Sequence, residues 1–183
     1  KLKDHAVLCR ATAQFRVLEE TFIKESIPYH IYGGQKFYGR KEIKDIMAYL
    51  RIIANPADVI SAERALSTPK RGVGDTSWMK LVLFAQENNL TISDAMLRAE
   101  ESPVGKKYAL IMAQFGRLLD TFRILSESLS VTALTQMILE ESGYLQMLQA
   151  EKTVEAESRI ENLNEFISIT TAFDSREDSD NRS

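Results

Sequence analysis

The chain has 183 residues, of which 44% are hydrophobic, and a formal net charge of −3. This is enough for one domain or one and a half with a buried core, and too apolar for a chain that is disordered throughout. The slight negative charge excludes a chain-wide attraction to nucleic acid, so any nucleic-acid surface must be local.

The cysteine and histidine content further limits the cellular compartment and the kinds of site that the protein can have. Cys9 is the single cysteine, so no internal disulfide can form, which is typical of a reducing compartment. With only His5 and His30 beside it, the composition argues against a zinc site. No apolar run approaches the roughly 20 residues of a membrane span, and the first residues do not resemble a signal peptide. These features predict a cytoplasmic protein without a metal site or membrane contact.

The first 54 residues predict alternating strands and helices. The segments HAVLC at 5–9 and YHIY at 29–32 are short, apolar and β-prone, so each is predicted to be a strand. Thr12 is predicted to cap the helix between them. Residues 40–54 carry apolar side chains at i, i+3 and i+4, which predicts a second helix. Two strands are not a stable sheet by themselves, so this α/β fragment is expected to belong to something larger.

After Asn55-Pro56 the pattern is helical throughout, and residues 55–173 are predicted to be a helical domain. One apolar stripe has alternating spacings of four and three, which predicts the core of a helix bundle. Its members are Tyr108, Ile111, Phe115, Leu118, Phe122, Leu125 and Leu129. Residues 174–183 are polar and charged and predict a disordered tail. The predicted fold class is therefore mainly α, with the α/β fragment of residues 1–54 in front.

A glycine turn, TPKRGVG at residues 68–74, separates two of the predicted helices. Glycine tolerates positive φ and lets another backbone approach closely, while Val73 would fill the gap between the helices. The next helix would begin with unsatisfied amides and a partial positive charge, which bind phosphate well. Lys70 and Arg71 would add mobile positive charge at the same place. The pattern thus indicates a sequence-independent grip on a nucleic-acid backbone.

A second interpretation stays open on the residues alone. The turn would then be a plain corner between two helices, which needs no ligand.

Trp78, one turn into the following helix, is predicted to anchor the core, because stacking on bases usually needs several aromatic residues along a basic groove. Lys106 and Lys107 are either a weaker phosphate contact or a solvated helix start.

Longer motifs resemble the superfamily 1A DNA helicases of the UvrD/PcrA/Rep group, most closely the PcrA type. They are IPYHIYGG, FYGRKEIKDIMAYLR, TPKRGVG, SGYLQML and AESRIENLNEF, and the resemblance covers nearly the whole chain. It implies that residues 1–54 are part of the second RecA-like motor domain, called 2A. It implies that residues 55–173 are the helical domain 2B, which is inserted into 2A and swivels to regulate unwinding.

The resemblance implies a fragment of an ATP-dependent 3′-to-5′ DNA helicase of repair and replication. The sequence contains neither the G-x-x-x-x-G-K-[ST] phosphate loop nor the acidic pair that holds magnesium. We therefore assign no catalytic residue and expect no cofactor, ATP hydrolysis or unwinding for this fragment. ATP and Mg²⁺ would be bound by the remainder of the helicase, which is itself an expected partner.

The resemblance also implies two sets of DNA contacts. Arg10 would hold a phosphate of single-stranded DNA, and Thr12 stands beside it where the family usually has Asn. Duplex DNA near the single-strand junction would be held by Lys70, Arg71, Gly72, Val73, Gly74 and the amides of Asp75 and Thr76. The alternative function is a helical protein–protein interaction module, in which the glycine turn is only a corner.

Overall fold

The computed structural model describes the backbone of residues 5–7, 12–30 and 37–180, and the side chains of residues 5–7, 17–30 and 37–175. Within these ranges the chain is helical, so the predicted mainly α class is confirmed. The α-helices are α1 (Thr12–Lys24), α2 (Lys41–Ala54), α3 (Val59–Ser67), α4 (Asp75–Glu87), α5 (Ile92–Leu97), α6 (Lys106–Leu125), α7 (Val131–Glu141), α8 (Tyr144–Glu151) and α9 (Val154–Asp180). Short 3₁₀ turns occupy Phe37–Gly39 and Ala99–Glu101.

The two predicted strands do not form where the structure describes them. Residues 5–7 and 29–30 have no regular secondary structure, and the rest of both segments lies outside the described residues. A β-prone segment becomes a strand only when a neighbouring strand satisfies its backbone groups. The described ranges contain no strand to pair with, so the strand prediction is wrong for these residues.

The chain divides into two compact units, residues 1–40 and residues 41–183. In the first unit, the buried carboxylate of Glu19 on α1 accepts hydrogen bonds from the Tyr29 hydroxyl at 2.6 Å and the Phe37 amide at 3.3 Å. Burial and this carboxylate raise the pKa of Tyr29 to about 12. The segment after α1 is thus held by a buried acceptor. The boundary expected after residue 54 follows the family's domains and stays a prediction.

The second unit is built around α2, which contacts α3, α6, α7 and α9. Two acidic residues of its EIKD motif are buried and therefore need partners. The Asn162 amide of α9 donates to Glu42 at 2.6 Å. Asp45 lies 2.6 Å from the Arg64 guanidinium and accepts from the Tyr144 hydroxyl at 2.9 Å. Apart from Arg64, these residues come from three of the motifs that carried the resemblance, namely FYGRKEIKDIMAYLR, SGYLQML and AESRIENLNEF. The three motifs therefore meet in one polar cluster inside the helical unit.

The helix α6 forms where the apolar stripe predicted it, but its buried face is rotated. Phe115 and Phe122 are buried as expected, whereas Tyr108 and Leu118 are only half-buried. Small residues complete the buried face. At Gly116, α5 packs so close to α6 that an added Cβ would lie 3.0 Å from the Leu97 amide nitrogen. The large apolar residues alone do not reveal such a close contact.

The helix α9 continues to Asp180, into the segment 174–183 that was predicted to be disordered. Asp174 explains part of this difference. Its carboxylate accepts hydrogen bonds from the Val131 amide at 3.1 Å and the Thr132 amide at 3.0 Å, at the start of α7. A polar residue near the end of a chain can be ordered in this way, since it satisfies backbone donors of another helix.

Candidate nucleic-acid interface

The glycine turn connects α3 with α4, and its two glycines have different backbone conformations. Gly72 has φ +76°, a left-handed conformation that side-chain-bearing residues rarely adopt. Gly74 has φ −98° and ψ 166°, which is ordinary extended backbone. A Cβ added at either position would meet nothing within 4 Å. The fold therefore requires glycine at position 72 but not at position 74.

The start of α4 presents free backbone donors. Gly74 is its N-cap and offers no capping side chain, while its carbonyl accepts from the amides of Ser77 and Trp78 at 3.0 and 3.1 Å. The amides of Asp75 and Thr76 have no acceptor in the described part of the chain. Both residues are exposed, and their amides lie at the positive end of the helix dipole.

Other helices of the same unit begin differently. Asp58, Thr91 and Ser130 cap α3, α5 and α7, and each side chain accepts a hydrogen bond from an amide of its own first turn. Gly105 precedes α6 without a capping side chain, and Lys106 and Lys107 beside it are exposed. The positions of Lys106 and Lys107 therefore fit both a weaker phosphate contact and a solvated helix start.

Lys70 and Arg71 are neighbours in sequence but differ completely in environment. Lys70 is exposed, and it makes no hydrogen bond or ion pair to the residues that the structure describes. Arg71 is half-buried, and its Nη1 donates to the carbonyl oxygens of Ala65, Leu66 and Pro69 at 3.0, 3.1 and 3.0 Å. The predicted pair of mobile cations is therefore reduced to Lys70.

The second guanidinium nitrogen of Arg71 connects to other parts of the unit. Its Nη2 donates to the Tyr49 hydroxyl at 3.1 Å and to the Ser142 carbonyl at 3.2 Å. The guanidinium carbon lies 4.4 Å from the centre of the Phe115 ring. We call Tyr49, Arg71 and Phe115, with the carbonyls they bind, the arginine cluster.

The arginine cluster satisfies helix ends that would otherwise be unpaired. The last carbonyls of α3 and the carbonyl after α7 carry the negative ends of two helix dipoles, which favour a cation. The buried Tyr49 hydroxyl lies 2.8 Å from the Thr68 carbonyl and 3.0 Å from that of Ala65. Burial raises the pKa of Tyr49, against the opposing effect of Arg71, so the hydroxyl stays protonated. Arg71 is thus held by structural contacts, which differs from its predicted role as a phosphate ligand.

The remaining residues of the turn agree with the prediction where the structure tests them. Trp78 is 4% exposed, so its predicted role as a core anchor is confirmed. Val73 is half-buried, and its role as a plug between the two helices stays a prediction. Elsewhere in the unit, a cleft of about 150 Å³ lies beside Pro56. The two aspartates that line it already have partners, because Asp94 accepts a hydrogen bond from Thr91 and Asp120 forms an ion pair with Arg123.

Comparison with known proteins decides the family. The sequence profile of the UvrD-like helicase C-terminal domain matches residues 1–183. The chain belongs to this family. It is 45% identical over 176 residues to ATP-dependent DNA helicase PcrA of Bacillus subtilis (strain 168), a match that covers 96% of this chain and 24% of that protein. The resemblance drawn from the motifs is thereby confirmed.

Two further relatives carry the same name. ATP-dependent DNA helicase PcrA of Staphylococcus aureus (strain Mu50) is 44% identical over 174 residues, which cover 95% of this chain and 24% of the relative. The protein of that name from Staphylococcus epidermidis is 41% identical over 174 residues, with the same coverage. This UvrD-like chain therefore spans about a quarter of the length of the curated relatives that it matches.

The predicted single-strand contact of this UvrD-like domain falls mostly beyond the described residues. Arg10 lies outside them, and Thr12 begins α1 with its side chain undescribed.

No helix in the described ranges combines the length and apolar character needed to cross a bilayer. Those ranges also contain no group of three or more His, Cys, Asp or Glu that could hold a metal ion.

Proposed function

We propose that this chain is the duplex-DNA-binding, regulatory 2B-type part of an ATP-dependent 3′-to-5′ DNA helicase, together with a piece of domain 2A. Membership of the UvrD-like helicase family and the 45% identity to a protein named ATP-dependent DNA helicase PcrA support the parent activity. In this proposal residues 1–54 belong to 2A and residues 55–173 are 2B. The remainder of the helicase binds ATP and Mg²⁺, and the complete protein acts on DNA in the cytoplasm during repair and replication.

The observation that carries the proposal is the open start of α4. Since Gly74 has an ordinary φ of −98° and free space around it, a simple corner does not require glycine there. A phosphodiester does benefit from the missing side chain, because a Cβ would hold it away from the amides of Asp75 and Thr76. Both amides lack an acceptor within the described ranges.

Charge near the turn supports backbone binding of modest strength. Lys70 is exposed beside the turn and would neutralise one phosphate, which contributes a salt slope of about one. The carboxylate of Asp75 lies in the first turn of α4 and opposes an anion there. We therefore expect a grip that positions the duplex through the helix amides and needs the rest of the helicase for tight binding.

The test is a fluorescence-anisotropy titration of the purified chain with a forked duplex at several salt concentrations. We expect binding that weakens with salt and is independent of base sequence, and Lys70→Ala should lower the salt slope by about one. Lys152→Ala is a suitable control, since Lys152 is an exposed lysine remote in sequence from the turn. Binding that ignores both salt and Lys70 would contradict the proposal.

The alternative, a protein-interaction module, has its own supporting observation. Met79 and Leu83 are 54% and 51% exposed and lie one turn apart on α4. A protein partner seated on this face would bind with little dependence on salt, and Met79→Ser with Leu83→Ser would abolish its binding. Those substitutions should leave duplex binding unchanged, so the two functions are separable on the same helix.

A further inference from the structure

We infer that Arg71 is a positioning residue, which holds the glycine turn in the shape that presents the α4 amides to DNA without contacting DNA itself. This inference rests on the proposed function and assigns different roles to two adjacent cations. Lys70 faces solvent, whereas Arg71 donates five hydrogen bonds to groups of the same chain.

The contacts of Arg71 fix the turn to two separate helices. Nη1 binds the end of α3 and the Pro69 carbonyl within the turn, and Nη2 binds Ser142, which follows α7 and lies 71 residues away in sequence. The next residue is Gly72, whose positive φ redirects the chain towards α4. The backbone that leads into the open helix start is therefore anchored directly before it turns.

The geometry of the arginine cluster depends on a guanidinium and not on charge alone. A planar group with five N–H donors can satisfy several carbonyls at once, and its face rests on the Phe115 ring at 4.4 Å. An ammonium has three donors and no planar face, so lysine would keep the charge and lose the clamp. Arg71→Lys consequently separates the electrostatic role from the positional one.

The experiment compares Arg71→Lys, Arg71→Ala, Lys70→Ala and wild type by salt-dependent anisotropy with forked duplex, at a temperature where melting curves show every variant folded. We expect both Arg71 variants to bind about tenfold more weakly, because the turn must then be ordered on binding, with the wild-type salt slope retained. Arg64→Lys is the matched control, since Arg64 is also clamped by hydrogen bonds but on Asp45, and it should bind like wild type.

A second readout needs no DNA. The amides of Ser77 and Trp78 bond to the Gly74 carbonyl, so their hydrogen exchange reports whether the start of α4 is held in place. In Arg71→Lys these two amides should exchange about tenfold faster than in wild type, and in Arg64→Lys they should not change.

The outcomes distinguish the inference from the proposed function. Wild-type affinity in Arg71→Lys, combined with a salt slope lowered by about one in Arg71→Ala, would show a phosphate ligand and overturn the positioning role. Unchanged exchange in Arg71→Lys would overturn it as well, whether or not the wild-type chain binds DNA. If exchange accelerates but wild type does not bind the fork, the proposed function fails and the anchoring of the turn by Arg71 stands.

Discussion

The helices α7 and α4 begin in opposite ways. At α7, the carboxylate of Asp174 accepts from the first two amides, those of Val131 and Thr132, at 3.1 and 3.0 Å. At α4, the corresponding amides are those of Asp75 and Thr76, and they meet no acceptor among the described residues. The chain thus supplies an internal anion for one helix start and leaves the equivalent place at the other open. An external phosphate at α4 would occupy the position that Asp174 occupies at α7.

The largest expected effect comes from blocking the open start. Gly74→Val should place a branched side chain between the α4 amides and a phosphate while φ −98° stays compatible with valine. The loss of two charge-assisted contacts costs on the order of 3 kcal/mol, more than a hundredfold in affinity. Anisotropy and thermal melting on the same samples would measure both properties.

The matched control for this prediction is Gly105→Val. Gly105 also precedes a helix without a capping side chain and has an ordinary φ of −59°. It should leave the affinity unchanged if the duplex is held at α4. Equal losses in both variants would place the contact elsewhere or on both helix starts, and early melting of Gly74→Val would support the plain corner.

The next effect concerns the other glycine of the turn. Gly72→Val should destabilise the fold by about 2 kcal/mol, because a β-branched residue is strained at φ +76°. Urea unfolding would measure the change, with Gly74→Val as the comparison that keeps the same substitution two residues away. Equal stability of the two variants would remove the distinction between a structural and a binding glycine.

A smaller effect is expected at the closed start of α7. Asp174→Asn should destabilise the chain by about 1 kcal/mol, since it weakens a charged cap of two amides. Glu127→Gln is the control, since Glu127 is an exposed carboxylate that caps no helix start among the described residues. If Asp174→Asn melted like wild type, α7 would not need its internal anion.

The same carboxylate predicts a pH dependence. Burial raises the pKa of Asp174, but hydrogen bonds from Thr132, Ser130 and Val131 lower it more, so the pKa lies below its ordinary value. The folded-state pKa is lower than the unfolded one, so the stabilisation is complete above the unfolded pKa and is lost as the pH falls through the folded pKa. The stability difference between wild type and Asp174→Asn should therefore shrink on acidification, as measured by urea unfolding between neutral pH and about pH 3. A difference that grew towards low pH would contradict this sign.

The smallest expected effect is on nucleotide turnover. An open helix start offers amides to a triphosphate as well, but the chain has no phosphate loop with its lysine and no acidic pair for magnesium. We expect no DNA-stimulated ATP hydrolysis and no strand separation by the purified chain. Turnover that persisted through further purification and changed in the chain's own variants would contradict this expectation.

Local patterns were sufficient for most of the helices and for the family. The helical spacing after Asn55-Pro56 and the capping residue Ser130 depend on neighbours within a few positions, so they can be recognised in the sequence. The glycine turn and the open amides after it were predicted for the same reason. Residues 5–7 and 29–30, the described parts of the two β-prone segments, were misjudged, because a strand depends on a partner that local sequence does not contain.

The amino-acid sequence by itself determined the mainly α class, the UvrD-like resemblance and the place of the turn. Only the tertiary structure decided which glycine serves the fold and which cation faces outwards. Lys70 and Arg71 are equivalent as charges in a sequence, but Arg71 lies beside the carbonyl of Ser142, 71 residues further along the chain. Likewise, Asp174 became a cap only because α9 places it at the start of α7. Such roles arise from contacts between distant segments, which the folded chain alone brings within hydrogen-bonding distance.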